Sequence, residues 1–279
     1  MPELNLRHLS TNVLRIFNLL GKTSLKKHHH WKLRPHMAYV EKNGVHLHCD
    51  VYVPDYPGPK PAVLVVHGGG WYGRSRRDTR FYAEQLANNG FVVVNCTYRF
   101  APANLYPAAL EDIRDCYHWM IKHAHKFEID PKRVGAMGYS AGAHLLSLVS
   151  AWASLGKKGY EDVHFKAVVA GGGVYDFMVY PFSPYIHRFT SFYRDENIEL
   201  YKEASPIHQL GTKLPHFFLF HSIKDELVEH DQMVRFQKAI QEKGGKAEIH
   251  TVPRLSHRYT FVFALGAVEK GIRFLKERL

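Results

Sequence analysis

Runs of consecutive apolar residues constrain this chain more than any other feature. AVLVVH (62–67), FVVVNCTY (91–98), RVGAMGYS (133–140), FKAVVAGGG (165–173) and HFFLFHS (216–222) show little of the alternation a half-exposed strand requires. Strands apolar at successive positions are buried on both faces. Segments with helical periodicity separate them, at about 77–89, 107–124, 141–154, 231–243 and 259–277, and KAEIHTV (246–252) supplies a further strand before the last helix. Apolar strands alternating with helices predict the α/β class, a parallel sheet wrapped by helices. Ahead of them MAYVEKNGVHLHCDVYVP alternates about Asn43-Gly44, a hairpin signal. The hairpin adds an antiparallel pair, for a mostly parallel sheet of about eight strands.

Composition narrows the function classes. With 279 residues, 46% hydrophobic and 23% charged, the chain is long enough for a large core. The three cysteines, Cys49, Cys96 and Cys116, form neither a disulfide framework nor a zinc motif, and read as buried thiols of a reducing compartment. The formal net charge is +11, but residues 1–36 carry Arg7, Arg15, Lys22, Lys26, Lys27, Lys32 and Arg34 against Glu3 alone. The rest is near balance and lacks a basic region interleaved with stacking aromatics, so no nucleic-acid partner is expected. Adjacent histidines at 28–30 on a basic stretch are not read as a metal site; no metal and no organic cofactor are expected. No run of apolar residues is long enough to span a bilayer, and the N-terminus does not read as a signal peptide, which makes the expected location cytoplasmic.

Two segments lie outside the repeating pattern. In residues 4–20, Leu6, Leu9, Val13, Ile16, Phe17 and Leu20 form an apolar stripe on a helix that Gly21 is placed to end. The basic stretch KTSLKKHHHWKLRPH follows as an expected exposed linker, so residues 1–36 precede a main domain of residues 37–279. The stripe can pack on the body as part of a cap, or lie on an anionic membrane surface as a peripheral contact. Ser10, Thr11 and Asn12 on the polar face favour the cap. The second segment, residues 174–212, fits neither strand nor helix and carries nine aromatics between Tyr175 and Tyr201. Insertions of this length in a compact repeat serve as lids or binding loops.

The chemistry is carried by three elements. GYSAG (138–142) falls where a strand passes into a helix of small and apolar residues, the setting for a nucleophilic Ser140. Side chains at Gly138 or Gly142 would collide across the sharp turn. HGGGW (67–71) follows the first buried strand, and successive glycines let backbone N–H groups approach a developing oxyanion. Asp225 follows one strand and His257 the last, in the chain order Ser, Asp, His expected on this architecture. Trp71, beside the glycines, shapes an acyl pocket or packs beneath the insertion; with Tyr139, Tyr175 and Phe177 it makes up the candidate substrate contacts. Arg99 is expected to fix the loop that follows it.

These motifs, with YRFAP (98–102), YPAALED (106–112) and IDPKRV (130–134), resemble the α/β-hydrolase superfamily, and within it the hormone-sensitive-lipase-like carboxylesterases and the short bacterial feruloyl- and acetyl-xylan-esterase-like branch. The resemblance runs from about residue 62 to 260. It implies an α/β-hydrolase fold, oxyanion donors at the N–H groups of Gly69, Gly70 and Ala141, and a small cap built from residues 1–36 and the insertion. The acid loop SIKDELV lacks the longer D-x-x-x-D form of lipase relatives, which favours the esterase branch over a lipid substrate. The expected function is serine carboxylic-ester hydrolysis of small acyl or aromatic esters, the partner being a small-molecule ester. An amidase or formamidase with the same three residues, and a non-catalytic hydrolase-like binding protein, remain as alternatives. The oligomeric state is not legible.

Overall fold

The computed structural model describes residues 29–42 and 44–279; the expected N-terminal helix lies outside the described residues. Strands β1 (Trp31–Lys42), β2 (Val45–Pro54), β3 (Lys60–Val66), β4 (Val92–Cys96), β5 (Ile129–Tyr139), β6 (Ala167–Gly171), β7 (His216–Ser222) and β8 (Ala247–Val252) form one sheet in the order β1-β2-β4-β3-β5-β6-β7-β8. The β1–β2 and β2–β4 pairs are antiparallel, and all the others are parallel. Helices are α1 (Arg80–Asn88), α2 (Ala108–Lys122), α3 (Ala141–Ser154), α4 (Pro184–Thr190), α5 (Ile198–Glu203), α6 (Asp231–Glu242), α7 (His257–Phe263) and α8 (Leu265–Arg278).

The apolar runs behave as their composition requires. In β3, Val63 and Val65 face a layer containing Leu86 of α1 and Val268 and Ile272 of α8. Leu64 and Val66 face the opposite layer, with Ile113 of α2, Leu145 of α3 and Phe236 of α6. The two-residue period of a strand sends successive side chains into different layers, so both must be apolar.

Three elements depart from the expected outline. Strand β1 begins at Trp31, so residues 31–36 of the anticipated linker belong to the sheet edge. The insertion carries helices α4 and α5 with short 3₁₀ turns around them. The last helix is two helices, broken at Ala264. A continuous helix would pair the carbonyl of Phe261 with the N–H of residue 265. Here the Tyr82 hydroxyl donates to the Phe261 carbonyl at 2.8 Å.

Candidate active site

Ser140 lies between β5 and α3 with φ +54° and ψ −121°, a backbone that an ordinary residue adopts only under constraint. The constraint is a close approach of β5, α3 and the end of β3. A Cβ on Gly142 would stand 2.2 Å from the Val66 carbonyl oxygen, and one on Gly138 would stand 2.7 Å from the Gly142 carbonyl carbon. The Ser140 N–H donates to the Gly171 carbonyl at 2.8 Å, and the Ser140 carbonyl accepts from the His144 N–H at 3.0 Å. The turn therefore holds the side chain clear of both elements, and Ser140 is half-buried.

The structure joins the three separated sequence elements. The Ser140 hydroxyl lies 2.9 Å from Nε2 of His257, and Nδ1 of His257 lies 2.7 Å from Oδ2 of Asp225. Asp225 follows β7, and His257 is the first residue of α7. The Asp225 side chain is fully buried, and its Oδ1 accepts from the N–H groups of Leu227 at 3.0 Å and Val228 at 2.8 Å. Burial pushes the Asp225 carboxyl up, but hydrogen bonds from His221 and His257 outweigh it and hold the acid well below the usual carboxylate range. The histidine backbone is fixed at both ends. Its N–H donates to Glu226 at 3.0 Å, and its carbonyl accepts from the Tyr139 hydroxyl at 2.7 Å. The Ser222 hydroxyl also donates to the carbonyl of Leu255, two residues before His257.

The glycine loop runs beside the serine. A Cβ added to Gly68 would lie 3.2 Å from Cβ of Ser140. Gly69 and Gly70 have φ of +124° and +61°. Among the described residues no backbone carbonyl accepts from the N–H groups of Gly69, Gly70 or Ala141. His67, ahead of the loop, donates from Nδ1–H to the Gly68 carbonyl at 2.7 Å and stacks on Tyr98 at 4.6 Å. Burial pushes the His67 imidazole down to about 4, so the ring is neutral.

The expected substrate contacts sit elsewhere than in an open pocket. Tyr139 is buried, with its hydroxyl spent on the His257 carbonyl. Tyr175 is buried and stacks on Phe236 at 4.2 Å. Phe177 and Trp71 are buried together with His144 and Phe189. Large rings on the first layer above a sheet bury more apolar area by packing inward than by lining a wet cleft, and these four do so. Exposed rings beside the loop are Tyr72 and Tyr185: a Cβ on Gly70 would meet them at 2.8 and 3.1 Å. Arg99 pairs with buried Asp112 at 2.8 Å and donates to the Ala108 carbonyl, fixing the loop that follows β4.

Three residues were not anticipated. His221 Nε2 stands 3.1 Å from Asp225 Oδ2 and 2.9 Å from the Val228 carbonyl, Glu226 holds the His257 backbone, and His144 binds Trp71. The signal for His221 is its place at the end of β7, four residues before the acid. His144 follows Ser140 by four residues, one helical turn. Among the described residues, no group of three His, Cys, Asp or Glu side chains is gathered to hold a metal ion. No helix among them is long and apolar enough to cross a membrane.

An eight-stranded, mostly parallel sheet with a serine on the strand-to-helix turn after β5, an acid after β7 and a histidine after β8 has the α/β-hydrolase architecture. Within it the chain belongs to the BD-FAE family, whose model matches residues 49–240. It is 27% identical over 239 residues to the probable carboxylic ester hydrolase LipM of Mycobacterium tuberculosis, covering 80% of this chain and 56% of that protein. It is 29% identical over 217 residues to the esterase LipQ of the same organism, covering 73% of this chain and 51% of LipQ. The chain thus spans about half the length of the curated relatives it matches. A solved truncated carbohydrate esterase from gut microbiota superposes with a TM-score of 0.78 at 19% identity, over 91% of this chain and 98% of that one, a likeness of fold.

Proposed function

We propose that this chain is a serine carboxylic-ester hydrolase acting on esters of small acyl groups. One observation carries the reading: the hydrogen-bonded sequence Ser140–His257–Asp225, at 2.9 and 2.7 Å, on a serine held out by a constrained turn. The names of LipM and LipQ, a probable carboxylic ester hydrolase and an esterase, support it.

In this reading Ser140 Oγ attacks the acyl carbonyl while its proton passes to Nε2 of His257. The carbonyl oxygen becomes an oxyanion, and the free N–H groups of Gly69, Gly70 and Ala141 stabilise it, with the start of α3 adding its positive dipole end. His257 returns the proton to the departing alcohol, leaving an acyl-Ser140 ester. Water then repeats the steps with His257 as base. Asp225, held ionised, keeps the proton of the resting imidazole on Nδ1, so that Nε2 remains the acceptor. The insertion at 174–212 forms the roof of the acyl site, and exposed Tyr72 and Tyr185 are its substrate-facing rings.

The test is hydrolysis of p-nitrophenyl esters from acetyl to dodecanoyl, with a p-nitroanilide control and Ser140→Ala. The expected result is a maximum at acetyl to hexanoyl, loss of turnover in the variant, and little anilide cleavage. A maximum at dodecanoyl with activation at a lipid–water interface contradicts the small-acyl reading. Anilide turnover matching the esters favours an amidase.

A further inference from the structure

Trp71 follows the three glycines of the loop and has φ of +64°. A large side chain seldom holds this left-handed backbone unless its surroundings impose it. The indole is fixed from several sides. It stacks on Phe189 of α4, with centroids 4.8 Å and planes 17° apart, and meets Phe177 edge-on at 5.6 Å. Its Nε1–H donates to Nδ1 of His144 at 3.1 Å. His144 is fully buried, and its Nε2–H donates to the Ala204 carbonyl at 2.8 Å. Ala204 caps α5, at the helix end where carbonyls lack helical partners.

A neutral imidazole has one donor and one acceptor, and His144 uses both, in opposite directions. Burial pushes this ring down to about 4, so the neutral form is the one present near neutral pH. An imidazolium would set an N–H against the indole N–H. The three groups therefore form one directional chain from the glycine loop, through the helix that follows Ser140, to the insertion. Apolar side chains could fill the same volume, but they would not fix the rotation of the indole.

We infer that His144 is a positioning residue: it orients Trp71 and with it the backbone of Gly69 and Gly70, and it ties that loop to the insertion through Ala204. The inference rests on the ester-hydrolase reading of the site. His144 exchanges no proton with substrate. Its effect falls on the oxyanion, whose donors must be aimed before charge develops.

Three variants test it. Trp71→Phe keeps a stacking ring without the N–H, His144→Leu removes donor and acceptor, and His144→Gln supplies one of each. The readouts are kcat and KM for p-nitrophenyl butyrate, the pH profile of kcat/KM, and inhibition by 1,1,1-trifluoro-2-heptanone, whose serine hemiketal places negative charge where the oxyanion forms. Trp71→Phe and His144→Leu are expected to lower kcat about tenfold or more with little change in KM. Trifluoroketone binding should weaken by a similar factor. His144→Gln should recover most of the loss, and every profile should keep the wild-type midpoint. Circular dichroism checks folding, and should His144→Leu fail to fold, Trp71→Phe carries the test. Folded variants with kcat within about twofold of wild type, or with a raised KM and unchanged trifluoroketone inhibition, overturn the inference and leave the hydrolase reading intact. A wild-type protein that neither cleaves the ester nor binds the trifluoroketone removes the hydrolase reading, and this inference with it.

Discussion

Replacing Asp225 by asparagine separates the electrostatic and tautomeric work of the acid from its packing, because the two side chains are nearly isosteric. In the native site Oδ1 accepts two backbone N–H groups, from Leu227 and Val228, and Oδ2 faces Nδ1 of His257 at 2.7 Å. The amide oxygen of the introduced asparagine is expected to stay with the two backbone donors. Its NH₂ group then faces His257, which can accept only by moving its own proton to Nε2. That leaves an N–H pointing at the Ser140 hydroxyl, and the base is lost. A wrong tautomer of this kind costs about 10⁴ in kcat, which corresponds to about 5 kcal/mol of transition-state stabilisation. The assay is kcat/KM for p-nitrophenyl acetate near pH 8, with thermal melting to confirm the fold. Glu226, whose carboxylate accepts from the His257 N–H at 3.0 Å, is the internal control. Glu226→Gln should retain activity within about tenfold, because its amide oxygen can still accept that bond. Near-wild-type rates in Asp225→Asn, with a collapse in Glu226→Gln, would refute the assignment of the acid.

Two further predictions concern stability. His67 and His144 are buried and titrate at about 4 in the folded chain, below the ordinary imidazole value of about 6.5. Between those values the unfolded chain takes up protons that the folded rings refuse. Stability therefore falls as pH drops through that window, by roughly 1 kcal/mol per ring per pH unit. Melting curves from pH 7 to 4.5 should show this, with a shallower slope in His144→Gln; an identical slope in that variant contradicts it. For Gly142→Ala the added Cβ would stand 2.2 Å from the Val66 oxygen, so β3 and α3 must separate. The cost is about 3 kcal/mol, a melting point lower by about 6–12 °C at this chain length, and a variant that melts with the wild type contradicts it.

What the sequence disclosed follows from how local each signal is. The strand-to-helix turn at Ser140 was legible because Gly138 and Gly142, two residues to either side, fit the close approach such a turn makes. The convergence of Asp225 and His257 on Ser140 was legible because each follows a strand, and parallel strands end on the same side of the sheet. His144 and His221 were not. Both are buried histidines inside regular elements, in a chain with 20 histidines; the partners of His144 lie 73 and 60 residues away, and those of His221 lie 4 and 7 residues on, in a loop whose course the pattern does not give. The start of β1 was hidden by Lys32 and Arg34, which face outward on an edge strand, and by an irregular register between Arg34 and Met37. The break at Ala264 has no proline to announce it and only Gly266 beyond it, and the Phe261 carbonyl there accepts from Tyr82, 179 residues away. The burial of Trp71, Tyr139, Tyr175 and Phe177 was not legible, because a run of aromatics does not distinguish a ring roofing the core from one facing a cleft.

The most direct measurement of the central claim is covalent labelling of the whole chain by a fluorophosphonate, read by intact mass and peptide mapping. One adduct per chain is expected, located on Ser140, formed in step with the loss of ester hydrolysis and absent from both Ser140→Ala and urea-unfolded protein. Full labelling of Ser140→Ala, or labelling on another residue that abolishes hydrolysis while Ser140 stays unmodified, would contradict it.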